Sequence, residues 1–131
     1  MTTTTAYGIT KLVKSPYGET VARVKELLKD EGFGVLTEID VQATLKQKLG
    51  QDVAPYVILG ACNPPLASRA LDVEPDIGLL LPCNVIVAET ADGTRAGAVN
   101  PASMVSFTGN PALDAVSREA DERLRRVIDR L

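Results

Sequence analysis

The chain has 131 residues, 45% of them hydrophobic and 24% charged, with a formal net charge of −3 and no histidine or tryptophan. That length suits one domain with a single core, stable without a disulfide framework or a structural metal. The acidic balance and the lack of a basic block argue against nucleic-acid binding, and the missing histidine removes Ser-His and Cys-His catalysis, His-ligated haem and ordinary catalytic zinc.

Residues 1–6 read as a flexible tail ahead of a single domain over residues 7–131. No basic segment followed by an apolar stretch opens the chain, and no run approaches a membrane span, so the expected location is the cytoplasm with no membrane partner. Tyr7 to Lys14 has the composition of a first strand, and Ser15-Pro16-Tyr17-Gly18 punctuates it. A helix follows from about Glu19 to Glu31, with Val21, Val24, Leu27 and Leu28 on one stripe. Gly32 ends it in a position that favours a left-handed backbone.

Phe33 to Val41 alternates. The pattern predicts a half-buried strand with Phe33, Val35, Thr37, Ile39 and Val41 on one face and Leu36, Glu38 and Asp40 on the other. Asp40 is placed to cap a short helix that Gly50 stops. Tyr56 to Cys62 reads as a buried strand, and Asn63-Pro64-Pro65 breaks it and starts another short helix. Val73 to Gly78 reads as a loop. Leu79-Leu80-Leu81-Pro82 leads into a strand from Asn84 to Glu89, and Ala91-Asp92-Gly93-Thr94 into a hairpin. The returning strand, Thr94 to Val99, is weak and rich in small residues. Asn100-Pro101 starts an irregular segment, and Asn110-Pro111 opens a last helix whose stripe is Leu113, Val116, Ala120, Leu124, Val127, Ile128 and Leu131. The order β-α-β-α-β-α-β-β-α predicts an α+β fold, with two long helices on one face of a mostly antiparallel sheet.

The dipeptide Cys-Asn occurs twice, as Cys62-Asn63 and Cys83-Asn84, and these are the only cysteines. One closes a predicted strand and the other opens one, so both thiols are expected at one edge of the sheet. A thiolate is a nucleophile and a soft-metal ligand, and Cys62 precedes a helix start that could activate it. A redox pair or a copper(I) site with Met104 as third ligand is one reading; two small buried hydrophobes at strand ends is the other. Asn63 and Asn84 either hydrogen-bond a ligand or tie loops together. Glu38 and Asp40 share a strand face, which suits acid–base work or a hard cation, or simply a solvated face and a helix cap. No Gly-rich phosphate loop, nucleophile elbow, zinc spacing or CxxC is present.

Three separated strings carry a family resemblance: Gly32-Phe33-Gly34-Val35-Leu36-Thr37-Glu38-Ile39-Asp40, Leu59-Gly60-Ala61-Cys62-Asn63-Pro64, and Gly78-Leu79-Leu80-Leu81-Pro82-Cys83-Asn84 with Val87. Together they resemble the bacterial and archaeal domain-of-unknown-function family numbered 302, over about Tyr7 to Leu131. The resemblance implies a compact α+β fold similar to the TATA-box-binding-protein-like class in single copy, commonly a homodimer. It supplies no activity and no catalytic residues.

The sequence therefore leads to a non-catalytic small-molecule-binding or regulatory homodimer, with a ligand site drawn from Cys62, Asn63, Cys83, Asn84, Glu38 and Asp40. No cofactor, metal or nucleic-acid partner is expected. The alternative is a thiol-dependent redox enzyme or copper-binding protein using Cys62 and Cys83.

Overall fold

Alternation along the central strands sorts one sheet into two faces, and the helical stripes decide which face is covered. The computed structural model describes residues 1–131. The elements are β1 (Thr2–Thr4), β2 (Gly8–Val13), α1 (Tyr17–Asp30), β3 (Gly34–Asp40), α2 (Val41–Leu49), β4 (Tyr56–Cys62), α3 (Pro64–Val73), β5 (Cys83–Thr90), β6 (Gly93–Val99), α4 (Ala102–Thr108) and α5 (Asp114–Asp129). Short 3₁₀ turns lie at Pro75–Leu80 and Pro111–Leu113. The six strands run in the order β1-β2-β6-β5-β4-β3, every neighbouring pair antiparallel.

Ile9, Val57, Leu59, Ala61, Cys83, Val85, Val87, Ala96 and Ala98 point to one face. There they meet Val24, Leu27 and Leu28 of α1 and Leu124, Val127 and Ile128 of α5. Both helices are amphipathic at the 3.6-residue period, and burying each of these large side chains contributes about 1.5–3 kcal/mol. Gly32, at φ +84°, turns the chain out of α1, and the Phe33 amide donates back to the Leu28 carbonyl at 2.8 Å. A second apolar cluster lies beyond the end of the sheet: Leu66 and Ala70 of α3, Ile77, Met104 of α4, Leu113, and Val116 and Ala120 of α5. The first half of α5 serves this cluster and the second half serves the sheet.

Several elements differ from the sequence reading. Thr2–Thr4 pairs with β2 as an edge strand, within the segment read as a tail. Pro75–Leu80 and Ala102–Thr108 are helical where a loop and an irregular segment were expected. Thr94–Val99 is a central strand bonded on both edges, because its small residues let Ala96 and Ala98 lie close beneath the helices. The faces of β3 are also corrected. Val35 pairs with Ala61 and Thr37 with Gly60, leaving Leu36 as an extra, unpaired residue. This bulge turns Val35, Glu38 and Asp40 to the helix-covered face and Thr37 and Ile39 to the other. A bulge is invisible to a strict two-residue period, and one residue of register exchanges the faces.

Candidate functional site

Antiparallel pairing of β4 with β5 fixes where the cysteines fall. Ala61 pairs with Cys83, so Cys62 ends one strand beside the residue that begins the next. Immediately after Cys62, Asn63 caps α3: its Oδ1 accepts from the Leu66 amide at 3.3 Å, and its Nδ2 donates to the Glu31 carbonyl at 3.4 Å. Asn63 thus ties the start of α3 to the end of α1. Arg123 of α5 donates to the same carbonyl at 3.1 Å, and Arg126 grips the Glu31 carboxylate at 2.8 Å. The hydrogen-bonded Arg126 guanidinium holds the Glu31 carboxyl below the usual carboxylate range.

These ties leave a cavity of about 310 Å³ between the end of the sheet and the second apolar cluster. Fifteen residues line it, twelve of them hydrophobic and none charged. The sheet contributes Thr37, Ala61, Cys62 and Cys83; Phe33, Leu36 and Leu81-Pro82 form walls. The helices contribute Asn63, Leu66, Ala67, Ala70, Met104, Val116 and Ala120. Alanines at 67, 70 and 120 leave the volume that larger side chains would fill. Gly60 is also required here. A Cβ on it would stand 2.1 Å from Thr37 Oγ1 and 2.9 Å from Pro82 Cγ, so Thr37 and Pro82 close over bare backbone.

Both cysteines are free, Cys83 buried and Cys62 partly exposed. Burial pushes the Cys83 thiol up to about 11, and the neighbouring Cys62 adds to the rise. At neutral pH Cys83 is therefore a protonated, apolar wall residue. Met104 brings a third sulfur to the same cavity. No group of three or more His, Cys, Asp or Glu side chains is arranged to hold a metal ion.

Of the six residues expected at the site, Cys62, Asn63 and Cys83 meet at the cavity. Asn84 pairs with Gly60 one residue on and is exposed to a different groove, over the outer sheet face. Glu38 and Asp40 lie elsewhere. Glu38 pairs with Lys25 of α1 at 2.9 Å, and Asp40 accepts from the Ala43 amide at 2.9 Å as the cap of α2. Their charges reach Tyr17, whose phenol is raised first by burial and then by Asp40 and Glu38. Position along the strand separates these carboxylates from the thiols, because Glu38 pairs with Leu59 and Asp40 with Val57, further down β4 from Cys62. Sequence reasoning missed Thr37, Leu66, Val116 and Ala120 as cavity residues. For Leu66, Val116 and Ala120 the only signal was small or medium size on a helix, which core packing explains equally well, and Thr37 lies on β3 beside a bulge that the strand pattern hides.

The residues expected to carry a family resemblance are thus assembled by the fold, with Gly60, Cys62, Asn63, Pro82 and Cys83 around one space. The model for the Domain of unknown function DUF302 matches residues 9–131. The chain belongs to the DUF302 family. A solved structure of an uncharacterized conserved DUF302 protein from Bacillus stearothermophilus is similar at 36% identity and a TM-score of 0.87, over 94% of this chain and 96% of that one. No curated protein matches the sequence. The antiparallel α+β architecture is therefore that of a DUF302 domain. No helix is long and apolar enough to cross a membrane.

Proposed function

We propose that this DUF302 domain is a non-catalytic homodimer that binds a small apolar molecule in the cavity at Cys62 and Cys83. The cavity carries the reading. Its volume of about 310 Å³ lies within the range of small-molecule sites, and its uncharged, mostly apolar lining suits an apolar guest. No charged side chain stands in it to act as an acid or base, and the buried thiol holds its proton. The direct test is a thermal-shift series with neutral aromatic probes on the wild type and on Ala67→Phe, which fills the cavity. Stabilisation of the wild type alone supports the reading; no stabilisation of either overturns it.

The dimer part rests on the sheet face that α1 and α5 leave uncovered. Outward positions of the inner strands are Thr10, Leu12, Tyr56, Ile58, Asn84, Ile86, Ala88, Arg95, Gly97 and Val99, with a single charge at Arg95. Exposed Tyr7, Leu79 and Phe107 flank a groove of about 490 Å³ over this face. Antiparallel sheets with one solvated face alternate apolar and polar residues, so such a low-charge face suits a second copy.

A second reading has one observation in its favour. The chain has two cysteines and two methionines, and Cys62, Cys83 and Met104 all line this cavity. Soft sulfur ligands select copper(I). Copper(I) titration with a competing chelator separates the readings: stoichiometric uptake lost in Cys62→Ser favours the metal, and none removes it.

A further inference from the structure

Resting on that cavity reading, the geometry points to a single-tailed amphiphile of about ten carbons that enters tail first and leaves its polar head in water. Exposure along the lining is graded. Ala61, Ala70, Val116 and Ala120 are buried and form the closed end, whereas Leu36 and Thr37 are exposed at the mouth. An elongated guest therefore has one end in hydrocarbon and the other in water. Tail length follows from volume. An apolar cavity of roughly 150 Å³ takes up benzene, about 25 Å³ per carbon. At that occupancy about 310 Å³ holds one tail of about ten to twelve carbons, which excludes a two-tailed lipid. Phe33 is the only aromatic side chain in the lining, so a ring has one partner, while a flexible tail meets Leu66, Leu81, Val116 and Met104 alike.

The orientation follows from the cavity's polar groups, none of which serves a guest at the closed end. Asn63 is tied to the Leu66 amide and the Glu31 carbonyl. Cys83 is a buried thiol, a weak donor. Thr37 is exposed on the outer sheet face, with its hydroxyl packed over Gly60. A hydroxyl or carboxylate carried to Val116 and Ala120 would be desolvated without a partner, so only hydrocarbon suits that end. The head gains nothing from charge either. Arg69 of α3 and Arg123 of α5 are committed to Glu119, and Arg123 also to the Glu31 carbonyl.

Equilibrium dialysis of the full chain against 1-alkanols from hexanol to tetradecanol tests this. Affinity should rise about fourfold per added carbon up to about 1-decanol and then level off. Decanoate should bind within about threefold of 1-decanol, its charge staying in water. 1,10-Decanediol should bind about 10-fold or more weakly, because its second hydroxyl must be buried. Ala70→Leu adds three carbons at the closed end and should lower the limiting length by about three. Ala120→Leu repeats that test from α5, so misfolding of one variant does not decide it. A diol as tight as the alkanol, decanoate weaker by roughly 30-fold, or a limit that both folded variants leave unmoved overturns the inference. Binding of 1-naphthol but of no alkanol overturns it and leaves the cavity reading intact. Binding of neither class overturns both.

Discussion

Thr37 Oγ1 occupies the space that a side chain at Gly60 would need. The hydroxyl would lie 2.1 Å from a Cβ there, and Pro82, just before β5, closes the same space at 2.9 Å. Gly60→Ala is therefore expected to destabilise the domain by about 1–3 kcal/mol through overpacking. Denaturant unfolding measures it. Thr37→Ala in the same chain should recover part of the loss, since the two residues share one space. A Gly60→Ala protein as stable as wild type would refute the close packing.

The Cys83 thiol makes stability fall in alkali. Its value in the fold is about 11, against an ordinary value of 9.0. The folded state holds the proton more tightly, so the contribution is complete below pH 9.0 and is lost as pH rises through about 11. Two units correspond to about 2–3 kcal/mol. Unfolding free energies at pH 8 and 11 should differ more for wild type than for Cys83→Ala, by roughly that amount. Iodoacetamide at pH 8 should label Cys62 and spare Cys83 until the protein unfolds.

Glu31 acts at the acid end. Its carboxyl is held below the ordinary value of 4.5, chiefly by the hydrogen bond from Arg126. The stabilisation is present above pH 4.5 and is lost as pH falls through the lower folded value. Arg126 is half exposed, so solvent screening limits the effect to about 1 kcal/mol. Glu31→Gln should flatten the acid limb of a stability–pH curve. Identical acid limbs in the two proteins would show that the pair contributes nothing.

Asp40 and Glu38 give a contrast. Asp40→Ala should cost about 1 kcal/mol, the loss of the α2 cap. Glu38→Gln breaks only an exposed ion pair and should change stability by less than about 1 kcal/mol. Neither should alter probe binding in the cavity by dialysis. A large loss of binding in either variant would return these carboxylates to the site.

The outer sheet face predicts the assembly. Ile86→Glu places a charge in the middle of that face, and Phe107→Asp places one at its rim. Light scattering should find wild type as a dimer and the double variant as a folded monomer. A monomeric wild type at high concentration removes the dimer.

The sequence showed most plainly what is locally periodic. Val24, Leu27 and Leu28, and the α5 stripe from Leu113 to Ile128, are buried as their 3.6-residue spacing required. The caps at Asp40, Asn63 and Asn110 follow from side-chain chemistry within three residues. Cys62 and Cys83 met because one ended and the other began a strand. Tertiary structure decided the rest. Thr2–Thr4 is a strand only because β2 lies beside it, and Ala102–Thr108 is a helix seated by burial of Met104 and Ser103. The cavity depends on how α3, α4 and α5 converge, which no linear pattern records.

Seen as chain length rather than chemistry, Leu36 is the spare residue of β3. Every pairing from Thr37 to Asp40 with β4 is defined without it, and its own side chain is 69% exposed at the mouth of the cavity. Losing that one codon would straighten the edge and widen the entrance. Thr37 would still face outward, and Glu38 and Asp40 would still face the helices. In this fold, an in-frame deletion at the bulge retunes the opening with less disturbance than a substitution at Gly60.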